Sequence, residues 1–333
     1  MARMDESKDA GNLIRALIYG PPKSRKTWWA LRMAELGFNV ILADLDDGAG
    51  IAQVLDPSAL KRIFRIDMRP NVDSYGTSGA AALSYAMGGQ VVYFDEAERK
   101  YVPVQRIEPE RDYVRIDLAK STSRDVLVID TWTAFVQQLT ANTVMTKSPI
   151  AIEKLEWDEY QKVRLILDHF LVNAMKLNCH SIFVAHSETY AKKRPDADPK
   201  EKLHLQIESV RLQPSSITRA HAETMAAKFN EVLYFENHGS TLGVRISTKG
   251  TGDFDAGSRY FAPGEYKFDD FTADKMLTKE IVAEVRQNEE FSSAAITVVN
   301  GAEIIAERSS KVSPAPAIDV TGKQPITSAF RKK

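Results

Sequence analysis

The chain has 333 residues, 44% hydrophobic and 27% charged, the balance of a water-soluble protein with one large core and additions to it. A formal net charge of −1 excludes a polycation that holds nucleic acid through bulk charge, so any DNA contact has to come from a local basic patch. One cysteine, Cys179, excludes an intramolecular disulfide and a cysteine-bound zinc, and without a bilayer-length apolar run or an apolar leader in MARMDESKDAGN a cytoplasmic protein with no membrane partner is expected.

After a polar segment over 1–12, LIRALIY (13–19) is an apolar, β-branched run that predicts a buried strand, and TWWALRMAEL from Thr27 has apolar residues at helical spacing. Between them lies Gly20-Pro21-Pro22-Lys23-Ser24-Arg25-Lys26-Thr27. A phosphate-binding loop asks for Gly, four free positions, Gly, Lys, then Ser or Thr, and every fixed place is filled here except the second glycine, where Arg25 stands. In such a loop the backbone wraps the phosphates of a nucleotide, Lys26 neutralises the outer ones and the Thr27 hydroxyl joins the shell of a Mg²⁺ ion. These eight residues are therefore the candidate ATP-binding set. Arg25 carries none of these duties, and its cost is conformational, because glycine leaves the dihedrals free. A helical backbone at that point would admit it, with the side chain turned outward or reaching a phosphate beside Lys23.

Farther along, FNVILAD, KRIFRID and DVLVID read as three more strands, short and apolar as buried parallel strands are. The segment 68–123 interrupts them. It contains GGQVVYFDEAERKYVPVQ, two strand-like runs around a charged turn, and reads as an inserted hairpin. The clearest helix, EKLEWDEYQKVRLILDHFLVNAMKL, lines up Val163, Ile166, Leu167, Phe170, Leu171 and Ala174 on one face. It leads into a fifth strand, SIFVA, whose flank LNCH puts Cys179 in the core as an inert thiol. NEVLYFE, the turn NHGS and TLGVRIST predict an antiparallel hairpin at the sheet edge. The chain then divides into a domain over 13–290, an extension over 291–308 and a tail over 309–333 whose Pro, Ser, Thr and Lys content is that of a disordered segment. Alternating β and α elements behind a phosphate loop give an α/β P-loop core, a mainly parallel sheet with helices on both faces.

Three strand ends carry polar groups. Asp130 closes DVLVID, where a carboxylate can hold Mg²⁺ through water together with Thr27, or cap the helix that follows. Asp44 and Asp46 close the strand LADLDDG, either as acids facing the γ-phosphate or as a plain turn before Gly48. His186 closes the fifth strand in VAHSE, where a satisfied strand-end histidine is the simpler reading.

The ordered set YGPP and KT, DLDDG, VIDTW, VAHSE and STKGTG with SRY resembles the RecA superfamily, and within it the phage nucleotide-binding family of Sak-four-like single-strand annealing proteins, over about Leu13 to Tyr260 without the insertion. That resemblance implies a RecA-like P-loop NTPase fold and an ATPase whose turnover is stimulated by DNA. It also implies roles: Asp46 orients the attacking water as catalytic base, with Lys26 and His186 completing the catalytic set and His186 sensing the γ-phosphate. Aspartate replaces the family's usual glutamate at position 46. It further implies a mobile DNA loop after His186, here SETYAKKRPDADPKEKLHLQ, in which Tyr190 would stack on bases while Lys192, Lys193 and Arg194 follow the phosphates of single-stranded DNA. A ring or filament of identical subunits, with Lys249 or Arg259 as the cation supplied to a neighbour's site, is the expected assembly. Two rival readings stay open: a nucleotide-gated accessory module of helicase-loader type with little or no hydrolysis, and a small-molecule kinase.

Overall fold

The computed structural model of the chain describes residues 13–48, 55–70, 78–145, 156–193, 207–214, 216, 218–239, 243–251 and 254–311. The polar segment 1–12, Arg194 and the tail from 312 onward lie outside the described residues. In chain order the elements are β1 (Arg15–Gly20), α1 (Lys26–Leu31), β2 (Asn39–Asp44), α2 (Pro57–Leu60), β3 (Ile63–Asp67), α3 (Gly79–Met87), β4 (Val92–Asp95), β5 (Lys100–Val102), β6 (Asp112–Ile116) and β7 (Asp125–Asp130). They continue with α4 (Trp132–Met145), α5 (Trp157–Ala174), β8 (His180–Lys193), β9 (Ile207–Pro214), α6 (Arg219–Met225), β10 (Glu231–Asn237) and β11 (Val244–Ser247), and close with β12 (Gly257–Ser258), β13 (Glu265–Lys267), α7 (Lys279–Val285), β14 (Ile296–Asn300) and α8 (Gly301–Lys311).

One sheet organises the chain, in the order β13-β11-β10-β1-β8-β7-β2-β3, with β9 and β12 pairing beside this path. From β10 to β3 every neighbour is parallel. All residues of β1, β2 and β7 are buried, which explains why they read as continuous apolar runs rather than alternating ones. The β10/β11 hairpin is antiparallel, as its turn sequence predicts, and sits towards one edge. This is the α/β, mainly parallel architecture expected of a P-loop core.

Helices cover both faces. On one, Trp132 of α4 packs on Phe135, on Phe170 of α5 and on Phe183 of β8, and Phe135 packs on Phe170, with ring centroids 4.5–5.9 Å apart. On the other, Trp29 of α1 meets Phe235 and Phe271 and donates its indole N–H to the Phe271 carbonyl at 2.9 Å. Each large side chain buried in this way contributes about 1.5–3 kcal/mol. The α5 helix starts at a capping box between Glu156 and Glu159, and Val163, Leu167, Phe170, Leu171 and Ala174 are buried along it. Ile166 falls at the margin of that stripe and is 37% exposed. Cys179, just ahead of β8, is a free buried thiol, and burial raises its pKa.

The hairpin read in the insertion is β4 and β5, but it does not stand alone. It belongs to a second, four-stranded antiparallel sheet in the order β14-β6-β4-β5, so the extension supplies one of its edges. An isolated two-stranded hairpin is marginal in water, and two more strands and α3 give this one a core. Ala80, Leu83 and Met87 of α3 join Val92, Phe94, Val114 and Ile116 in the same apolar cluster as α4 and α5.

A second difference concerns the segment after His186. The polar run expected as a loop is ordered strand as far as Lys193, because β8 continues beyond the sheet and pairs with β9 as an antiparallel ribbon, Ser187 opposite Pro214 and Tyr190 opposite Arg211. Main-chain pairing drives this, aided by Thr189 and Tyr190, which favour extended backbone.

Candidate nucleotide-binding site

Parallel register brings the C-terminal ends of β1, β7 and β2 level with the middle of β8, pairing Gly20 with His186 and Asp44 with Asp130. Gly20 has φ +155°, and a Cβ there would overlap the Phe235 carbonyl of β10, so this glycine lets the chain turn into the loop against its neighbour strand.

Within the loop, the buried Lys26 ammonium donates to the Gly20 carbonyl at 2.9 Å, the Pro21 carbonyl at 2.7 Å and the Ser24 hydroxyl at 3.2 Å. Burial lowers its pKa to about 8, opposed by the charges of Asp130 and Asp46. Pro22, Lys23 and Arg25 are exposed, Ser24 and Thr27 buried.

Arg25 differs from expectation. Its backbone is left-handed, φ 62° and ψ 20°, at the residue before α1, rather than helical. For a residue with a side chain this costs about 1–2 kcal/mol. Its guanidinium lies over the Trp28 ring at 5.1 Å and the Phe268 ring at 5.6 Å, a cation–π arrangement that turns its charge onto an aromatic pair beside the loop.

Thr27 Oγ1 lies 3.1 and 3.0 Å from the two carboxylate oxygens of Asp130. Asp130 is fully buried, and burial together with the nearby Asp46 carboxylate raises its pKa to about 7. Asp44, Asp46 and Asp130 each bring a carboxylate oxygen within 4.8 Å of the others. Gly48 closes this cluster, since a Cβ there would overlap the Asp130 carboxylate.

The three acids are not equivalent. Asp44 is occupied: it accepts from the Asp47 and Gly48 amides at 2.9 and 3.2 Å and from Arg65 Nε at 2.8 Å, and pairs in charge with Arg65 Nη2 at 2.6 Å. Asp46 is partly exposed, accepts from the Thr131 hydroxyl at 3.1 Å, and lies 3.7 Å from His186 Nε2, an ion-pair distance longer than a hydrogen bond. The His186 imidazole, then Thr131, hold the Asp46 carboxyl below its ordinary pKa. The His186 amide donates to Thr133 Oγ1 at 2.9 Å, while its ring Nδ1 is buried without a partner among the described residues.

Arg65, Thr131 and Thr133 do not stand out in the sequence as site residues. The signal for the threonines is the pair of hydroxyls in DTWT directly after Asp130; Arg65 has none, because only the β2/β3 register places it beside Asp44. Thr27 and Asp46 each bring a hard oxygen close to the Asp130 carboxylate, and a buried carboxylate with a raised pKa is a group that a cation would stabilise. This donor set fits Mg²⁺.

Tyr190 of the ribbon donates its hydroxyl to Glu188 at 2.9 Å, and its pKa is raised, chiefly by burial. Lys192 and Lys193 lie on the paired strand, opposite Ser209 and Ile207. Lys249 is exposed after β11. Arg259 is exposed after β12, its amide donating to Glu231 at 2.9 Å, level with Ala16 at the start of β1 and so at the opposite end of the sheet from its own loop.

A family described as an AAA domain matches residues 12–260. No curated protein matches the chain. Similar solved structures include the RadB recombinase, 15% identical over 70% of this chain and 79% of that one with a TM-score of 0.33. Another is the flagellar accessory protein FlaH from Methanocaldococcus jannaschii, 12% identical over 80% of this chain and 92% of that one with a TM-score of 0.34. A third is an ATPase from the type III secretion system of pathogenic bacteria, 10% identical over 83% of this chain and 64% of that one with a TM-score of 0.36.

Proposed function

The chain belongs to this AAA domain family, and on that premise we propose that it is a RecA-like ATPase that binds ATP with Mg²⁺, assembles with copies of itself and acts on single-stranded DNA in phage-type recombination, annealing or replication. One observation carries the reading: Lys26, Thr27, Asp130 and Asp46, drawn from three strand ends, converge beside a single loop. In this reading Lys26 leaves the loop oxygens for the outer phosphates, while Thr27 and Asp130 hold the metal, which when bound supplies charge neutralisation to the phosphoryl group. Asp46 accepts a proton from the attacking water, a task suited to a carboxyl kept ionised by His186 and Thr131.

The DNA part of the proposal rests on continuity. His186 faces Asp46 and lies on the strand that runs on into the β8/β9 ribbon with Tyr190, Lys192 and Lys193, so a change at the phosphate end has a direct main-chain route to the ribbon. No helix among the described residues is long and apolar enough to cross a membrane.

The test is ATP hydrolysis by the full chain with and without single-stranded DNA. Turnover that DNA accelerates is the expected result. Tight nucleotide binding without turnover would identify the accessory-module reading instead, and phosphate passed to a small acceptor would identify a kinase.

A further inference from the structure

We infer that Arg25 is the nucleobase platform of this loop: its guanidinium, backed by Trp28 and Phe268, is the plane on which the purine of a bound nucleotide stacks. The inference rests on the proposed nucleotide site and adds which part of the chain meets the base.

Arg25 stands where the loop pattern has glycine, in a left-handed backbone that glycine adopts without penalty. Strain kept at a binding loop points to a use for the side chain. That side chain is exposed, yet it is not loose. Its guanidinium sits 5.1 Å from the Trp28 ring and 5.6 Å from the Phe268 ring, and these two rings lie 5.0 Å apart at 33°. The cation is therefore held against aromatic rings while Arg25 stays exposed to solvent.

Position ties this platform to the nucleotide. Arg25 directly precedes Lys26, which the proposed function puts on the phosphates, and Trp28 directly follows Thr27, which it puts on the metal. A base joined to those phosphates through one ribose has to settle near the loop, and the Arg25 plane is a π-stacking surface that starts there. A planar, delocalised guanidinium stacks on aromatic faces on both sides, so the base extends a stack already begun. A purine, with two fused rings, covers more of that plane than a pyrimidine. Lysine would keep the charge but offer no plane.

The experiment is calorimetry on the full chain with Mg²⁺ and three ligands, ATP, CTP and inorganic triphosphate, in wild type, Arg25→Lys and Trp28→Leu. Wild type is expected to bind ATP more tightly than CTP or triphosphate. Arg25→Lys should lose about ten- to a hundredfold in ATP affinity, the range given by one stacked base, while triphosphate affinity stays within about threefold. Trp28→Leu should lose the same preference, because the guanidinium then has no backing. Wild type that binds ATP no more tightly than triphosphate, or an Arg25→Lys protein that keeps the full ATP preference, overturns the platform and leaves the phosphate loop standing. A wild type that binds neither ligand overturns both.

Discussion

Thr27 Oγ1 lies within 3.1 Å of both carboxylate oxygens of Asp130, a contact across 103 positions of sequence that joins the phosphate loop to the strand β7. Asp130 carries its proton up to about pH 7 because burial and Asp46 disfavour its charge, and a metal requires the deprotonated form. The Mg²⁺ affinity of the ATP complex should therefore fall about tenfold per pH unit below pH 7 and level off above it. Asp130→Asn should abolish both the metal dependence and this slope in a Mg²⁺ titration followed by calorimetry.

The same raised pKa fixes a stability effect without metal. The folded chain keeps a proton on Asp130 between its ordinary pKa of 3.8 and about 7, where the unfolded chain has released it. Stability from this group is thus present below pH 4 and lost as pH rises to 7, at about 1.4 kcal/mol for each pH unit crossed. Asp130→Asn should raise the metal-free Tm at pH 8, and added Mg²⁺ should raise the Tm of wild type but not of the variant.

Asp46→Asn should leave ATP affinity nearly unchanged and lower turnover by about a hundredfold or more, the scale of losing a positioned base. Thr131→Val, which removes the hydroxyl that donates to Asp46, should lower turnover less and raise the pH at which activity appears, since Thr131 helps to keep that carboxyl ionised. A pH–rate profile separates the two, and unchanged turnover in Asp46→Asn would transfer the role to another acid.

Much of this site can be read in the sequence because its parts are local. The loop, the acids at strand ends and the buried runs of β1, β2 and β7 each occupy a few consecutive residues, and a period of 3.6 picks out the buried stripe of α5. The rest depends on pairing between distant segments. β14 joins β6 across nearly two hundred residues, as Asn300 opposite Asp112 illustrates, and no local pattern encodes that partner. The ribbon escapes a sequence reading for a related reason: SETYAKK is polar on both faces, so nothing in its hydrophobic period announces a strand until β9 supplies the second ladder. Arg25 is legible as an exception, but its left-handed backbone is not, because arginine rarely adopts one.

Arg25→Gly relieves that backbone. Replacing a left-handed arginine by glycine should stabilise the metal-free chain by about 0.5–1 kcal/mol in urea unfolding, the relief of strain exceeding the glycine's added entropy in the unfolded chain. A lower midpoint would mean that the stacking on Trp28 and Phe268 outweighs the strain.

On the ribbon, Lys192→Ala together with Lys193→Ala should weaken single-stranded DNA binding, spare ATP affinity and flatten the plot of log affinity against log salt by about 0.7 for every phosphate no longer neutralised. Tyr190→Ala should instead cost about 1–3 kcal/mol with little change in that slope. Fluorescence anisotropy with a labelled oligonucleotide at several salt concentrations distinguishes them, and binding like wild type at every salt would remove the ribbon as the DNA site.

The most direct test of the account is ATP binding to wild type and Lys26→Ala by calorimetry in the presence of Mg²⁺, repeated at pH 8.5 in buffers of different ionisation enthalpy. Lys26 is buried, its pKa is lowered to about 8, and its ammonium donates to loop oxygens. Phosphates arriving there should draw a proton onto it, so wild type is expected to bind ATP with proton uptake at that pH. Lys26→Ala should lose about ten- to a hundredfold in affinity, the scale of a charge-assisted contact, and all of the uptake. A variant that binds ATP as tightly as wild type, with the same proton uptake, would contradict the phosphate-loop reading on which the rest depends.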